Sequence, residues 1–501
     1  MKSRPMSLAA VLFAIVVAAA GCNTGGGQSP TTGASQGGGT SPSADGSAAS
    51  PSADGTDEES ASPDDSGSPA TGGDLEASGD IFGFGMTREQ ADEIATVRME
   101  YFEEKYPDVT ITVSETDFSP EGFLAALASD DPPDVVRIGR DVIGTYVARD
   151  TLLGLNDCME RAGLDPGLFY ESPLNAVTID GEVYGIPEAM DTRNWLVNNA
   201  AFEEAGLGDP AEFDWSDWDA IRSASTELFQ GEGSNITRLG IDPKIPEFLA
   251  LWAKANGADL LSEDGMTSQL EDPRVAEALQ FTVDLINDQG GRDPFLNFRG
   301  TWDFFGAENQ FAADQVGAHP MEQWYLNVLA GSSPDAPISV QPFVDREGNG
   351  LTLEGGSALA VTKASSNPDA ACAFVTAMAE TDGWVAAVEE RVRIREEEGS
   401  PNTGTFPANR EANERIFTEV VDLESETLPE QFRDAVNTVL ENQENAFAIP
   451  GGPANGPIFF GDNSIVAQAV ARVLDGEDAQ EVLTQADEEA QAAIDAAAQG
   501  Q

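Results

Sequence analysis

The sequence predicts an α/β protein of two lobes, each a sheet flanked by helices. Strand and helix patterns alternate from residue 80 onward, which favours sheets covered by helices on both faces. This part of the chain is about 420 residues long, more than one hydrophobic core usually serves, so two cores are expected. Hydrophobic residues make up 41% of the chain, enough to fill both.

The first elements read as strand, helix and strand in turn. Residues 81–85 form a short apolar run, and residues 87–90 have the S/T-x-x-E/Q form of a capping box that begins a helix. Residues 109–113 then alternate as a strand. A helix that begins at Ser119 leads to the strand at 135–138, so this half predicts a parallel sheet.

The same order continues toward the C-terminus. Further strands and helices are expected at 183–187, 195–197, 200–206, 246–257 and 273–290. The last helix has the clearest start, because Asp272 is a good N-cap and Pro273 stands at the first helical position. Asn367-Pro368 opens one more helix.

The composition excludes several kinds of function. The 88 acidic and 26 basic residues give a net charge of −62, whose field repels phosphate, so nucleic-acid binding is not expected. A single histidine, His319, excludes a His-dependent triad and a multi-histidine metal site, and we expect neither metal nor cofactor. The three cysteines, Cys22, Cys158 and Cys372, are too few for a disulfide scaffold.

The N-terminus predicts export and a lipid anchor. The apolar run over residues 8–20 is shorter than the ~20 residues that span a bilayer, which indicates a secretion signal over 1–21. The Ala-Ala-Gly-Cys sequence that ends at Cys22 resembles the lipobox of bacterial lipoproteins, with Ala where Leu is commoner. The alternative is an ordinary cleavage site beside an incidental cysteine.

Residues 22–79 are expected to form a disordered tether behind this anchor. They are mostly small or polar, and Leu75 is the only large apolar residue among them. Such a segment cannot bury enough surface to offset its ordering entropy. The globular part would then stand outside the cytoplasm, held to the outer face of the cell membrane only through lipid.

Short motifs are spread over the globular part in a characteristic order. They are Phe102-Glu103-Glu104-Lys105-Tyr106-Pro107, Pro133-Asp134-Val135-Val136, Asp180-Gly181-Glu182-Val183-Tyr184-Gly185-Ile186-Pro187, Trp215 to Trp218, Asn256-Gly257-Ala258 and Leu474-Asp475-Gly476. This order resembles the family-1 extracellular solute-binding proteins, the sugar-binding receptors of ATP-binding-cassette importers. No single motif is specific for this family, but the order and spacing of the motifs over the domain are. One departure is Val197, which stands where the family usually has Tyr.

The resemblance implies a two-lobed, type II periplasmic-binding-protein-like fold with the ligand cleft between the lobes. By analogy, residues 80–193 and 350–404 form lobe one, and residues 194–349 and 405–501 form lobe two. The implied protein is a monomeric receptor rather than an enzyme. It captures a sugar or small oligosaccharide by lobe closure and delivers it to the permease subunits of the importer.

A sugar offers an apolar C–H face and a rim of hydroxyls, which aromatic rings, carboxylates, amides and arginine match. The candidate contacts are Phe82, Phe84, Arg140, Asp141, Glu188, Asp191, Trp252, Trp302, Asp303, Trp324, Gly355 and Gly356. Trp324 is the strongest, because the family commonly carries a stacking Trp there. Phe82, Phe84 and Trp252 have spacings that also fit a hydrophobic core, and Arg140 with Asp141 also fits a solvated ion pair.

Other interpretations stay open from the sequence alone. A receptor for a cationic ligand such as a polyamine suits the acidity, and its binding would weaken with salt. A secreted glycoside hydrolase would use a pair of acids and would turn over chromogenic glycosides. A disulfide between Cys158 and Cys372 depends on geometry that sequence does not give.

Overall fold

The computed structural model describes residues 75–86 and 93–500. The secretion signal, the lipobox, most of the tether and the capping box at 87–90 lie outside the described residues. The strands, numbered along the chain, are β1 Gly79–Gly85, β2 Val109–Asp117, β3 Val135–Gly139, β4 Thr178–Ile179, β5 Glu182–Val183, β6 Ile186–Pro187, β7 Asp191–Asn198, β8 Gln230–Glu232, β9 Asn235–Ile241, β10 Val316–Glu322, β11 Ile338–Gln341, β12 Phe343–Val344, β13 Gly350–Gly355, β14 Ser357–Val361 and β15 Ala446–Phe447.

Helices surround these strands. They are α1 Glu93–Lys105, α2 Pro120–Leu127, α3 Ile143–Ala148, α4 Asn156–Ala162, α5 Glu171–Asn175, α6 Asn199–Ala205, α7 Trp218–Leu228, α8 Leu249–Ala255, α9 Pro273–Asp288, α10 Arg292–Arg299, α11 Tyr325–Ser332, α12 Pro368–Ala377, α13 Thr381–Glu398, α14 Arg410–Arg415, α15 Glu430–Asn442, α16 Asn455–Phe459, α17 Ile465–Leu474 and α18 Ala479–Ala498. In the part of the chain that the structure covers, no helix has both the length and the apolar character needed to cross a membrane.

The predicted helix starts are confirmed where the capping chemistry is local. The Ser119 side chain accepts from the backbone N–H of Gly122, with Pro120 at the start of α2. The Asp272 carboxylate accepts from the Arg274 N–H at the start of α9. The expected strand over 183–187 is instead two short strands, β5 and β6.

Two sheets divide the strands. The first has the order β2-β1-β3-β14-β6, and the second has the order β12-β13-β7-β10-β9-β8, with β11 beside β7 and β15 beside β13. In the first sheet β1 is parallel to β2 and β3, whereas β14 is antiparallel to β3 and β6. This sheet is therefore mixed rather than wholly parallel, because β14 enters it directly from β13 of the other sheet.

Each sheet has its own hydrophobic core, which confirms the predicted two-lobed α/β fold. Phe123 and Phe374 are among the fully buried residues of the first core. Trp195 and Trp252 are enclosed in the second, where they pack against Phe343. We call the first sheet with its helices lobe one and the second lobe two; the lobe boundaries given above stay a prediction.

The chain crosses between the lobes along paired segments. Pro187 pairs with Ala358 in the first sheet, and four residues later Asp191 pairs with Gly355 in the second. A third segment runs beside them, since Ala189 forms a bridge with Pro407. We call residues 187–191 and 355–358 the crossing segments.

A disulfide joins Cys158 on α4 to Cys372 on α12, within lobe one. The two cysteines are 214 residues apart in sequence, so the bond closes a long loop and restricts the unfolded chain. We expect Cys158→Ser to lower the free energy of unfolding by about 2–4 kcal/mol, as measured by denaturant titration. Reduced wild-type protein is the matched control and should unfold with the variant. Unfolding of the variant together with the oxidised wild type would contradict the prediction.

Candidate binding cleft

Arg140 ties the crossing segments together. It follows β3 and is only 1% exposed. Its Nη1 donates to the carbonyl oxygens of Ala189, at 2.7 Å, and of Ser357, at 3.0 Å. Its Nη2 donates to the Glu354 carboxylate and to the Gly355 carbonyl. One guanidinium thus satisfies three backbone carbonyls where the crossing segments pass from one sheet to the other.

Carboxylates gather around this point. Asp141 and Asp191 keep part of their surface exposed, but burial raises the pKa of both above the ordinary value, against the opposing effect of Arg140 and Arg193. Arg193 also lies 3.3 Å from Glu322. Partly buried carboxylates of this kind are strong acceptors for hydroxyl or ammonium donors that enter the cleft.

Gln323 places the start of α11 against the crossing. Its Oε1 accepts from the Thr192 N–H at 2.7 Å, and its Nε2 donates to the Met190 carbonyl at 2.7 Å. Its own N–H donates to the Thr192 carbonyl at 3.0 Å. These bonds hold Gln323, the residue before Trp324, against the crossing.

Trp324 belongs to an exposed aromatic surface. Its ring is 36% exposed and nearly parallel to that of Phe305, which is 60% exposed, with the centroids 6.4 Å apart. Phe304 lies behind them and stacks on buried Tyr325 at 4.3 Å. We call Phe304, Phe305 and Trp324 the aromatic platform. Rings held this way at a lobe boundary can stack on an apolar ligand face.

Charged residues that the sequence analysis did not single out border this platform. Lys244 Nζ lies 5.8 Å from the Phe304 ring centroid. Arg299 forms ion pairs with Asp242, at 3.1 Å, and with Glu247, at 3.4 Å. Their position in the sequence could have indicated these residues, because Asp242 and Lys244 follow the end of β9, which is parallel to β10. Carboxyl ends of parallel strands are where α/β sheets place ligands.

The structure brings some candidate residues together and separates others. Those at the crossing are Arg140, Asp141, Glu188, Asp191, Gly355 and Gly356, and Trp324 directly follows Gln323, which bonds to the crossing. Phe84 packs against Phe118 and Phe123 in the first core, and Trp252 is enclosed in the second, its Nε1 donating to the Pro243 carbonyl. Phe82 is partly buried on β1.

The remaining candidates lie on the lobe-two side. Trp302 stacks on fully buried His319, with ring centroids 6.0 Å apart, while the adjacent Asp303 is exposed. Burial lowers the pKa of His319 to about 4, so the imidazole is neutral and structural. Within the described ranges, no group of three or more His, Cys, Asp or Glu side chains is arranged to hold a metal ion.

A family model described as a bacterial extracellular solute-binding protein matches residues 98–392. The chain belongs to this family. The family places the solute-binding protein outside the cytoplasm. An arabinooligosaccharide-binding protein of Halalkalibacterium halodurans is 25% identical over 322 residues, which cover 61% of this chain and 68% of the relative.

Solved structures confirm the fold of the solute-binding protein. An ABC substrate-binding protein of Listeria monocytogenes, in complex with cycloalternan, is 19% identical with a TM-score of 0.63, covering 84% of this chain and 100% of that one. UgpB of Mycobacterium tuberculosis, in complex with glycerophosphocholine, is 19% identical with a TM-score of 0.61, covering 84% and 99%. Both share the two-lobed α/β architecture predicted from the sequence.

Other groups pack closely against the two glycines of the solute-binding protein's crossing. A Cβ at Gly355 would stand 2.9 Å from Arg193 Nη1. Gly356 has φ +130, and a Cβ there would stand 2.6 Å from the Ala189 carbonyl oxygen. Gly355 thus leaves room for the Arg193 guanidinium, and Gly356 leaves room for the Ala189 carbonyl and the Arg140 guanidinium.

Glu188 joins the crossing to helix α1. Its carboxylate lies 2.6 Å from Arg137 Nε and 3.2 Å from Arg98 Nη1, and it accepts from the Ser357 hydroxyl. Burial alone would raise its pKa, but the two arginines outweigh burial and lower the pKa to about 2. The carboxylate is thus already satisfied within the protein.

This ion pairing predicts a pH dependence of stability. Because the pKa of Glu188 falls from 4.5 to about 2 on folding, its contribution is complete above pH 4.5 and is lost as the pH falls toward 2. The full contribution is about 3 kcal/mol. We expect Glu188→Gln to unfold more easily than wild type at neutral pH, with the difference shrinking as the pH falls through this window. A difference independent of pH would contradict the prediction.

Proposed function

We propose that this solute-binding protein captures a carbohydrate, either a sugar or a small oligosaccharide, between its lobes and delivers it to an ATP-binding-cassette permease. The observation that carries the proposal is the aromatic platform beside the carboxylates of the crossing. Ring faces suit sugar C–H faces, and carboxylates suit pairs of hydroxyls. The arabinooligosaccharide and cycloalternan ligands of the relatives support the same class.

We assign the central contacts to Trp324, Asp141 and Asp191. Phe305 extends the stacking surface, and Lys244 supplies a donor at its border. A ligand that touches lobe one through Asp141 and lobe two through Trp324 gains contacts from both only when the lobes close. Ligand binding and lobe closure are then coupled.

The proposed receptor releases its ligand unchanged. The acids at the crossing face arginines, and no hydrolytic motif accompanies them. We expect no turnover of chromogenic arabinosides, mannosides or glucosides by purified protein at concentrations where binding is measured. Multiple turnover that disappears in Asp191→Asn would instead favour a glycoside hydrolase.

We further propose that the protein is attached outside the cell membrane by lipid on Cys22 and acts as a monomer. The Ala-Ala-Gly-Cys sequence supports the anchor. Wild-type protein expressed in a bacterium should incorporate labelled palmitate and partition into detergent, whereas Cys22→Ser should do neither. Equal partitioning of both forms would contradict the anchor. The molar mass from light scattering tests whether the protein is a monomer.

A titration panel tests the carbohydrate proposal. The ligands are arabinotriose, mannotriose, maltotriose, spermidine and glycerophosphocholine, followed by calorimetry and thermal unfolding. We expect at least one oligosaccharide to stabilise the fold, by ~2.7 kcal/mol at one hundred times its Kd, with little change between low and high salt. Stabilisation by spermidine alone, removed by salt, would overturn the proposal.

A receptor for a cationic ligand is the second candidate. Among the described residues at the crossing, Asp141, Asp191, Glu322 and Glu354 lie around Arg140 and Arg193, while Glu188 is already paired with Arg98 and Arg137. The choline group in the ligand of UgpB fits the same interpretation. Lys244 beside the platform opposes it, since an approaching ammonium would be repelled.

A further inference from the structure

A second cavity lies behind the crossing segments. It has a volume of about 860 Å³, and Met190 lines it. The next residue, Asp191, instead faces Arg193 and Gln323. Successive side chains of an extended strand point to opposite faces, so this cavity and the Asp191 carboxylate lie on opposite sides of the crossing. We call it the rear cavity.

Both lobes contribute to the rear cavity. Tyr170 and Ile179 come from lobe one, while Met266 and Phe447 come from lobe two. None of the twelve candidate contacts predicted from the sequence lines it. Its size falls within the range of small-molecule sites, and its walls combine apolar and polar groups as such sites do.

A buried glutamine at the rear cavity has an amide donor without a partner among the described residues. Gln443 lines the cavity and is 2% exposed. Its Oε1 accepts from Asn413 Nδ2 at 3.1 Å, but its Nε2 has no hydrogen-bond partner among the described residues. Leaving a buried donor unpaired costs about 1–3 kcal/mol, so an acceptor supplied by a bound molecule would be stabilising.

The charges at the rim restrict the kind of molecule. The carboxylates that line the cavity belong to Glu171, Asp180, Glu263, Asp264 and Glu444. Arg410 also lines it but already pairs with Glu444 and lies over the Tyr170 ring, 4.2 Å from its centroid. This rim repels anions. An ammonium would suit the carboxylates but offers Gln443 Nε2 no acceptor, whereas a hydroxyl both donates and accepts.

We infer that the rear cavity is a second binding site, for a neutral polyhydroxylated molecule of about disaccharide size. Tyr170 and Phe447 provide apolar surfaces for C–H faces, the rim carboxylates accept from hydroxyls, and Gln443 Nε2 donates to a hydroxyl oxygen. The site is separate from the proposed cleft. Because its walls come from both lobes, its occupant favours the lobe arrangement that fits it and thereby changes the affinity of the cleft.

The test uses full-length protein with the cleft disabled by Trp324→Ala and Asp191→Asn. Trehalose, maltose and arabinobiose are titrated in turn, with spermidine as the cationic probe, and binding is followed by calorimetry and ligand-detected NMR. We expect at least one disaccharide to bind the cleft-disabled protein. Adding Asn175→Trp, an exposed position on the cavity wall, should weaken that binding more than tenfold.

The controls separate filling of the cavity from a change in fold. Asn287→Trp, an exposed helical position that does not line the cavity, should leave binding unchanged. Gln443→Leu should weaken binding about tenfold while thermal unfolding stays cooperative. Failure of all three disaccharides to bind, binding indifferent to Asn175→Trp, or binding of spermidine alone would overturn the inference. Binding of a ligand to the cleft is measured separately, on Asn175→Trp protein that keeps Trp324 and Asp191. A failure of the proposed function is thereby distinguished from a failure of this inference.

Discussion

Replacing Trp324 by alanine is expected to weaken carbohydrate binding by about thirtyfold to a thousandfold, the range typical of an aromatic hot spot. The residue before the indole is held against the crossing, because the Gln323 side chain bonds to both Met190 and Thr192. Truncation removes the stacking surface and leaves space that water fills. Since the ring is 36% exposed, the free energy of unfolding should change little.

Calorimetry with the oligosaccharide found in the panel measures this effect. Trp324→Phe keeps a ring at the same place and should retain most of the affinity, which distinguishes stacking from loss of fold. Phe305→Ala should cost less than Trp324→Ala, because Phe305 is 60% exposed and less firmly held. Affinity of Trp324→Ala within twofold of wild type would contradict the proposed place of the ligand.

Replacing Arg140 by methionine is expected to lower the free energy of unfolding by about 3–5 kcal/mol, the cost of breaking a buried ion pair from one side. The change leaves the Glu354 carboxylate without its buried partner and removes the donor for the Ala189, Ser357 and Gly355 carbonyls. Burial already raises the pKa of Glu354, so its proton uptake should rise further in the variant.

Denaturant unfolding of Arg140→Met measures this loss. Arg393→Met is the control, because Arg393 pairs with Glu390 and Glu397 on an exposed helix surface, where solvent screening makes the loss small. Adding Glu354→Leu to Arg140→Met should restore part of the stability, since no buried charge is then left alone. Equal losses in Arg140→Met and Arg393→Met would show that Arg140 does not hold the crossing.

Features that depend on near neighbours along the chain could be predicted from the residues alone. Alternating strand and helix periods predicted sheets covered by helices, and the length of about 420 residues predicted two cores. The cap at Asp272 and the proline at 273 placed the start of α9 correctly, because a cap bonds within the next few residues. The position of Trp324 just beyond β10 placed it at the edge of the second sheet, where the structure has it.

Which side chains meet depends on the three-dimensional fold. Arg140 and Ser357 are 217 residues apart, Glu188 pairs with Arg98 across 90 residues, and Lys244 reaches the ring of Phe304 from another segment. Trp252 and Trp324 were both candidate contacts, yet Trp252 is enclosed in a core and Trp324 is exposed. Periodicity and capping act over one or two turns of the chain. Contacts at the crossing depend instead on the register in which β6 pairs with β14 and β7 pairs with β13.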